Sequence, residues 1–375
     1  MLIGVDSRSL EGNRTGVGRY LLNLLKIWST DHCLPSSARF ILYFKDKIPS
    51  DLPAADFFEF KLLNVRSNAK FVHWNLPRAA RKDKIDILFC PAYVAPFCYK
   101  GKIALTLHDI SYEARPKEFN WPSLADRILL KWVSRRSAKK AAVIFASSEF
   151  SRQEVIKYYG LPPAKVITTL LAADPSLFNA INNGTVAIKE KYGLEDKFIF
   201  YVGSIFTRRH LPEIISAFER LARADENYQL LLAGKDSTEG QAVNKLAEKI
   251  NQEFGRKAVL RVDFVSDEDL KLLYGACAFF IWLSDYEGFG FPPLEAMSLG
   301  APVITTGGSS LKEVAGEAGM FIKENTDVEE IYRAMHKLAR DSAWREELSI
   351  RGKEQAVKFS WKECAKITLE VLIKI

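Results

Sequence analysis

The chain has 375 residues, a formal net charge of +7, and 48% hydrophobic against 26% charged residues. That length suits two domains with separate cores, and that balance belongs to a globular protein. No apolar run approaches the length of a membrane span, no solenoid period or low-complexity segment is visible, and the first residues, Met1-Leu2-Ile3-Gly4-Val5-Asp6, run straight into a strand pattern, so no secretory signal is expected.

The five cysteines, Cys33, Cys90, Cys98, Cys277 and Cys364, are scattered and form no CxxC pair. Free thiols in a reducing cytoplasm fit this better than a disulfide framework or a zinc site. Charge is uneven. Residues 1–180 carry 27 Lys and Arg against 16 Asp and Glu, whereas the remainder carries 26 against 30. The first half is therefore expected to meet something acidic, with nucleic acid, anionic lipid and a phosphate-bearing acceptor as the candidates.

In chain order, Leu2–Val5, Phe40–Phe44, Ile87–Cys90, Ile103–Leu107, Val143–Ala146 and Val166–Leu170 read as buried strands. Tyr20–Ile27, Ser123–Lys140 and Ser151–Tyr159 read as helices among them. The turn-rich stretch Asn182-Asn183-Gly184 marks a linker. Beyond it, strands are expected at Phe198–Val202, Gln229–Ala233, Val259–Phe264, Phe279–Leu283, Pro302–Thr305 and Met320–Ile322. Helices are expected at Leu211–Ala222, Gln241–Phe254, Asp267–Gly275, Leu294–Leu299, Ser310–Ala315, Val328–Asp341 and Ala343–Phe359. Strand–helix alternation in both halves predicts an α/β chain of two doubly wound parallel sheets, with ligands beyond the carboxyl ends of the strands.

Within Ser123–Lys140, Arg127 to Lys140 mixes apolar and basic residues. One reading lays this helix on an anionic membrane surface. The other buries its apolar side in the core and leaves its charges solvated. Nucleic acid is disfavoured, because no recognised binding module accompanies the charge.

The stretch Glu287-Gly288-Phe289-Gly290-Phe291-Pro292-Pro293-Leu294-Glu295 places two carboxylates eight residues apart, around a glycine loop and a Pro-Pro pair. An apolar strand precedes it and a helix follows. A helix tip carries partial positive charge and suits a phosphate, while a carboxylate accepts hydrogen bonds from paired hydroxyls. An acidic loop followed by a plain helix cap would read the same way.

That string closely resembles the signature of the retaining glycosyltransferases of family 4, which have the GT-B fold: two Rossmann-like doubly wound domains facing a central cleft. The resemblance covers nearly the whole chain. It implies an acceptor-binding domain over 1–180, a nucleotide-sugar-binding domain over 181–358, and a final helix over 359–375 that crosses back to the first domain. It also implies that Glu287 contacts the transferred sugar and Glu295 the nucleotide ribose. The backbone at Phe289, Gly290 and Phe291 would meet sugar hydroxyls, and that near Leu294 the diphosphate.

Further segments match the family. Thr15-Gly16-Val17-Gly18-Arg19-Tyr20 resembles its glycine loop, which places Gly16 and Gly18 by the acceptor and the transferred sugar; alone, it also reads as an ordinary turn. Leu107-His108-Asp109 ends a strand, and the resemblance carries His108 to the donor sugar, with Asp109 orienting the imidazole, capping the turn or meeting acceptor. Ser147-Ser148-Glu149 matches a serine turn and is read mainly as a helix cap. Gly203 to Leu211 resembles the diphosphate segment, with Arg209 where Lys is usual and His210 where Asn is usual. Arg208 and Arg209 are expected to neutralise the leaving diphosphate, since a planar guanidinium binds phosphate well. Lys235 and Val265 fall in the segments beside the nucleotide base, and Gly203 in the donor loop.

Asp267-Glu268-Asp269 looks like a metal-binding DxD but starts a helix, where acidic residues favour the dipole, so it is read as a cap. No metal and no cofactor beyond the sugar donor is expected for the chemical step.

The resemblance thus implies a retaining hexosyltransferase acting between a nucleotide-diphosphate sugar and a glycan or lipid-linked glycan, in cell-surface polysaccharide biosynthesis. GDP-mannose is the favoured donor, with UDP-glucose or UDP-N-acetylglucosamine next. The expected location is cytoplasmic, with peripheral attachment to the inner face of the membrane as a variant. The alternatives are a nucleotide-sugar epimerase of the same fold, which would return an isomer, and a non-catalytic nucleotide-sugar-binding protein, which would show no turnover.

Overall fold

A computed structural model of the chain describes residues 1–12, 14, 16–30, 38–116, 123–174, 184–238 and 241–375, without the side chains of 124–126. Thr15, Cys33, Asn182 and Asn183 lie outside the described residues. The chain divides into two compact units, one of Met1–Leu171 with Ser360–Ile375 and one of Ala172–Phe359.

The first unit is built on strands β1 (Leu2–Asp6), β2 (Arg39–Phe44), β3 (Phe58–Leu62), β4 (Ile87–Cys90), β5 (Lys102–Leu107), β6 (Val143–Ala146) and β7 (Val166–Thr168). They form one sheet in the order β3-β2-β1-β4-β5-β6-β7, and every pairing is parallel. β4 and β6 are buried at every position, as strands covered on both faces must be. The edge strand β3 was not expected. Its Phe-Glu-Phe-Lys-Leu alternation is half solvated, which removes the continuous apolar run by which the central strands show themselves.

The helix Gly16–Thr30 packs Trp28 against Phe40, rings stacked at 5.2 Å. The C-terminal helix Trp361–Lys374 belongs to this unit. The Ala365 carbonyl accepts the Trp28 indole N–H at 3.0 Å, and Trp361 lies 6.3 Å from Tyr20, ring centre to ring centre.

The helix Leu124–Lys140 presents an unexpected face. Val133, Ser134, Ser137 and Ala138 are buried, while Ile128, Leu129 and Trp132 are exposed. Burial of its apolar side in the core is therefore overturned for these three residues. The cause is hydrogen bonding. Ser137 Oγ accepts the Ala95 N–H at 3.0 Å, and Ser134 Oγ joins the hydroxyls of Tyr112 and Tyr159, at 2.9 Å from the latter. Buried polar groups cost free energy unless paired, so these partners set which side of the helix turns inward.

The second unit holds β8 (Lys197–Val202), β9 (Tyr228–Ala233), β10 (Val259–Val262), β11 (Phe279–Trp282), β12 (Val303–Thr306) and β13 (Gly319–Ile322). Its parallel sheet has the order β10-β9-β8-β11-β12-β13. Counted from its own first strand this is 3-2-1-4-5-6, the doubly wound order, which reverses direction between β8 and β11. The strand expected to reach Phe264 stops at Val262, and Phe264 is strongly exposed. Helix Leu211–Ala224 places its apolar stripe, Ile214, Ile215, Phe218 and Leu221, on the sheet. Helix Thr185–Tyr192, unexpected from the sequence, follows directly on Gly184.

Candidate active site

The carboxyl ends of β8 and β11 flank the reversal point of the second sheet, and the arginine segment and the paired-carboxylate motif issue from those two ends. β8 runs into Gly203, whose φ is +146°. A Cβ there would lie 2.7 Å from the Trp282 ring. Only glycine lets this strand end settle against that indole. Gly234, after β9, is tighter still: its Cβ would fall 2.0 Å from the Gly203 carbonyl oxygen.

The chain then makes a 3-10 turn at Thr207–Arg209 and enters the helix Leu211–Ala224 through His210, which sits in the left-handed region at φ +53°. Histidine and asparagine are among the residues that tolerate this conformation, so the usual Asn can be replaced here without a backbone change.

Arg209 forms an ion pair with Glu287, and both side chains are largely buried. Its guanidinium also lies 3.9 Å over the Trp282 ring, which stacks at 5.2 Å on Tyr201. Two buried donors here, Arg209 Nε and Trp282 Nε1, have no hydrogen-bond acceptor among the described residues. A buried donor left unmade costs about 1–3 kcal/mol. A protein retains such donors where incoming oxygens can satisfy them, and phosphate and sugar hydroxyl oxygens are of that kind. Arg208 is on the same turn, its guanidinium 4.5 Å from the Phe206 ring and its carbonyl accepting the Asp285 N–H at 3.2 Å.

Asp285 ties the two strand ends together. Its Oδ1 meets His210 Nε2 at 2.8 Å and accepts the Asn325 amide at 2.9 Å. Asn325 in turn accepts the Thr306 hydroxyl at 3.1 Å, and Thr306 accepts the Ser284 N–H at 3.0 Å. Glu213 lies 4.0 Å from His210 Nδ1. Burial opposes charge on the imidazole, but the hydrogen bonds and charges of Asp285 and Glu213 outweigh it and raise the His210 pKa to about 9. His210 is therefore a cation at neutral pH, beside Arg208 and Arg209.

The carboxylate motif is held by Ser310, whose hydroxyl lies 2.9 Å from the Glu287 carbonyl and 2.7 Å from that of Phe289. Gly290 has φ +111°, and its missing Cβ leaves room for the Leu311 side chain. The helix starts at Phe291 and runs to Ser298, one turn earlier than the expected start at Leu294. This changes its donor capacity. Pro292 and Pro293 have no N–H, and the Leu294 N–H makes a long bond of 3.4 Å to the Gly290 carbonyl. The helix tip thus offers fewer amides than a free N-terminus. Glu295 is buried, accepting the Tyr274 hydroxyl at 3.2 Å. Lys235 follows β9 and is exposed, and Val265 lies buried after β10. Gly203, Lys235, Val265 and Glu287 therefore all follow the carboxyl ends of strands in one sheet.

In the first unit, His108 follows β5. Its ring stands edge-on to Tyr20 at 4.9 Å, and Nε2 lies 3.2 Å from the Pro91 carbonyl. Burial lowers its pKa, with the Pro91 carbonyl and Asp109 opposing, so the ring is neutral near pH 7 and Nε2 donates to Pro91. Asp109 does not orient the ring through a hydrogen bond: its Oδ1 accepts the N–H and hydroxyl of Ser111 at 2.8 and 2.7 Å, and its Oδ2 accepts the Tyr93 hydroxyl at 3.0 Å. Asp109 therefore caps the turn before Ser111. Ser148 caps the helix Glu149–Tyr159, as expected, but its neighbours do more. Ser147 and Ser151 both donate to the His108 carbonyl, at 2.6 and 3.0 Å, so this serine turn holds the histidine in place. Gly18 packs so close to the Ser9 carbonyl that a Cβ would lie 2.3 Å from it, and Gly16 opens the first long helix.

Asp267-Glu268-Asp269 begins the helix Asp267–Ala276 behind a Ser266 cap, and Asp269 is engaged by Lys191 at 2.6 Å and Tyr192 at 2.8 Å. Sequence reasoning missed Asp285, Asn325 and Trp282 as parts of the site. Asp285 stands two residues before Glu287 and could have been found by that spacing, but Asn325 and Trp282 reach the site only through the fold.

Family models lie over both units. Glycosyltransferase Family 4 matches residues 47–175, and Glycosyl transferases group 1 matches residues 186–355. The O-antigen chain mannosyltransferase B of Escherichia coli is 29% identical over 373 residues, covering 95% of each chain. A serotype-specific mannosyltransferase of Escherichia coli is 35% identical over 237 residues, which is 62% of this chain and 29% of that one. Among solved structures, the sucrose-phosphate synthase of Thermosynechococcus elongatus superposes with a TM-score of 0.75 at 16% identity, covering 100% of this chain and 98% of that one. Two doubly wound parallel sheets, a strand-end site carrying the paired-carboxylate motif, and these matches agree: the chain belongs to the family 4 glycosyltransferases of the GT-B fold.

Proposed function

We propose that the protein transfers mannose, with retention of anomeric configuration, from GDP-mannose to a growing glycan or lipid-linked glycan of a cell-surface polysaccharide. The observation that carries this is the arginine turn after β8, where Arg209 is paired to Glu287 and keeps a buried N–H unengaged beside Trp282. The sugar is inferred from the mannosyltransferases among the relatives. UDP-glucose and UDP-N-acetylglucosamine are the next donors.

Breaking the anomeric C–O bond builds negative charge on the departing diphosphate and positive charge on the sugar. Preorganised donors stabilise the first, and Arg208 and Arg209 would supply them, with the His210 charge next to both. Glu287 holds a sugar hydroxyl on one side and Arg209 on the other. The acceptor hydroxyl then attacks from the face the diphosphate leaves, which gives retention, and its proton passes to the leaving phosphate. With two arginines to balance the diphosphate, the step is proposed to proceed without a divalent ion. Ribose contact is assigned to Glu295 and sugar contact to His108 on the family resemblance.

The test is a donor panel with purified protein and a mannan acceptor in the presence of EDTA. Acceptor-dependent release of GDP and an α-linked product by NMR are expected. An inverted product, an isomerised donor, or release that requires added metal would each overturn the corresponding part of the proposal.

A further inference from the structure

Among the described residues, Asn64, Lys84, His210, Gln241 and Ser309 hold a positive φ without being glycine. Asparagine and histidine tolerate that conformation, and Lys84 and Gln241 are exposed. Ser309 is different. Its φ is +56°, and its Oγ is buried without a hydrogen-bond partner. No other described residue combines a left-handed φ with an orphaned buried side-chain atom.

Ser309 belongs to the loop of residues 307–310, which follows β12 at the carboxyl end of the second sheet, next to β11. Both ends of that loop are fastened to the proposed donor site. Thr306, just before it, accepts the Ser284 N–H and donates to Asn325, which reaches Asp285. Ser310 is buried, and its hydroxyl lies 2.9 Å from the Glu287 carbonyl and 2.7 Å from that of Phe289. Leu311, the next residue, fills the space that Gly290 leaves. The stretch between these fastenings meets open space: Gly307 and Gly308 are exposed, and a Cβ on Gly308 would meet nothing within 4 Å.

A residue with a Cβ stays at positive φ only where its surroundings over-determine it, and such strain gathers at ligand clamps. The fastenings at Thr306 and Ser310 supply that constraint here. Glycine would remove the strain at this position. Serine instead carries both a strained backbone and an unpaired buried hydroxyl, and no contact within the protein accounts for it. An incoming oxygen would account for it. The sheet order favours the sugar over the diphosphate as its source. Arg208 and Arg209 follow β8, on the far side of β11, whereas Ser310 grips the backbone of Glu287 and Phe289, the segment assigned to the sugar.

We propose that Ser309 is a further donor-binding residue, whose hydroxyl pairs with a hydroxyl of the transferred sugar beside Glu287. This rests on Glu287 being the sugar contact, and it extends the donor site to the loop after β12.

The test compares Ser309→Gly and Ser309→Ala with the wild type. Each protein is melted, and each is titrated calorimetrically with the nucleotide-sugar that the wild type binds and with its free nucleoside diphosphate. Glycine relaxes the backbone and alanine keeps the strain, but both remove the hydroxyl. Both variants should bind the nucleotide-sugar about fivefold to tenfold more weakly and the free nucleoside diphosphate as the wild type does. Ser309→Gly should also melt at or above the wild-type temperature. A serine kept only for packing would do the opposite, losing stability and no sugar affinity. Unchanged affinity for the nucleotide-sugar in either variant, an equal loss for the free nucleotide, or a Ser309→Gly protein that melts below the wild type overturns the proposal. A wild type that binds UDP-glucose and not GDP-mannose overturns the donor assigned above, and the same comparison with UDP-glucose and UDP then decides the role of Ser309. A wild type that binds no nucleotide-sugar overturns both.

Discussion

His210 Nε2 and Asp285 Oδ1 lie 2.8 Å apart, joining the arginine turn after β8 to the strand end from which Glu287 projects. The unfolded imidazole titrates near 6.5 and the folded one near 9, so the folded state binds the proton more tightly. Stability from this clamp is fully present below pH 6.5 and is lost as pH rises through 9. Glu213 and Asp285 are the carboxylates facing the ring, and Arg208 and Arg209 are the neighbouring cations. Thermal unfolding of the wild type should therefore drop more steeply between these two pH values than that of His210→Asn. Parallel pH profiles for the two proteins would refute the clamp.

Glu287→Ala should lower turnover by about 10²-fold or more, because it removes the proposed sugar contact and the partner that orients Arg209. It also leaves a largely buried guanidinium without its counter-charge, an imbalance that costs about 3–5 kcal/mol in buried pairs, reduced here by the remaining contact with Trp282. Arg209→Lys should be milder. It keeps the charge and loses the planar stacking on Trp282, for about 1 kcal/mol of stability. Steady-state kinetics and urea melts of both variants check this, and near-normal turnover of folded Glu287→Ala would remove its assigned role.

Gly203→Ala should destabilise the second unit by about 1–3 kcal/mol and weaken donor binding. The added methyl would sit 2.7 Å from the Trp282 ring, at a φ that L-residues rarely adopt. Displacing Trp282 also disturbs the face on which Arg209 rests. Gly308→Ala, where a Cβ meets nothing within 4 Å, is the control and should melt as the wild type does.

Ser137→Ala should cost about 1–3 kcal/mol, because the buried Ala95 N–H loses its acceptor. The same change frees the register of helix Leu124–Lys140, so hydrogen exchange of that helix should quicken. Unchanged stability and exchange would show that something other than the serine contacts keeps Ile128 and Trp132 outward.

Much of the architecture was legible in the sequence because strands of a covered parallel sheet are rich in apolar residues, and among the described residues every strand but β3 falls on a stretch expected to be one. The exception, β3, lies at a sheet edge, where alternation replaces the run. Glu287, Arg208 and Arg209 were singled out by the resemblance of their segments to the family's, and the structure brings them to the ends of β8 and β11, with Arg209 paired to Glu287.

What the amino-acid order determined by itself was thus the alternation of strands and helices and the residue types brought to the strand ends. Only the tertiary structure decided that Arg209 rests on Trp282, that His210 is held charged by Asp285 and Glu213, and that Trp132 faces outward while Ser134 faces inward. Each of those outcomes depends on pairing a buried donor, acceptor or charge with a partner far away in the chain, and such pairings exist only once the strands have been ordered into sheets.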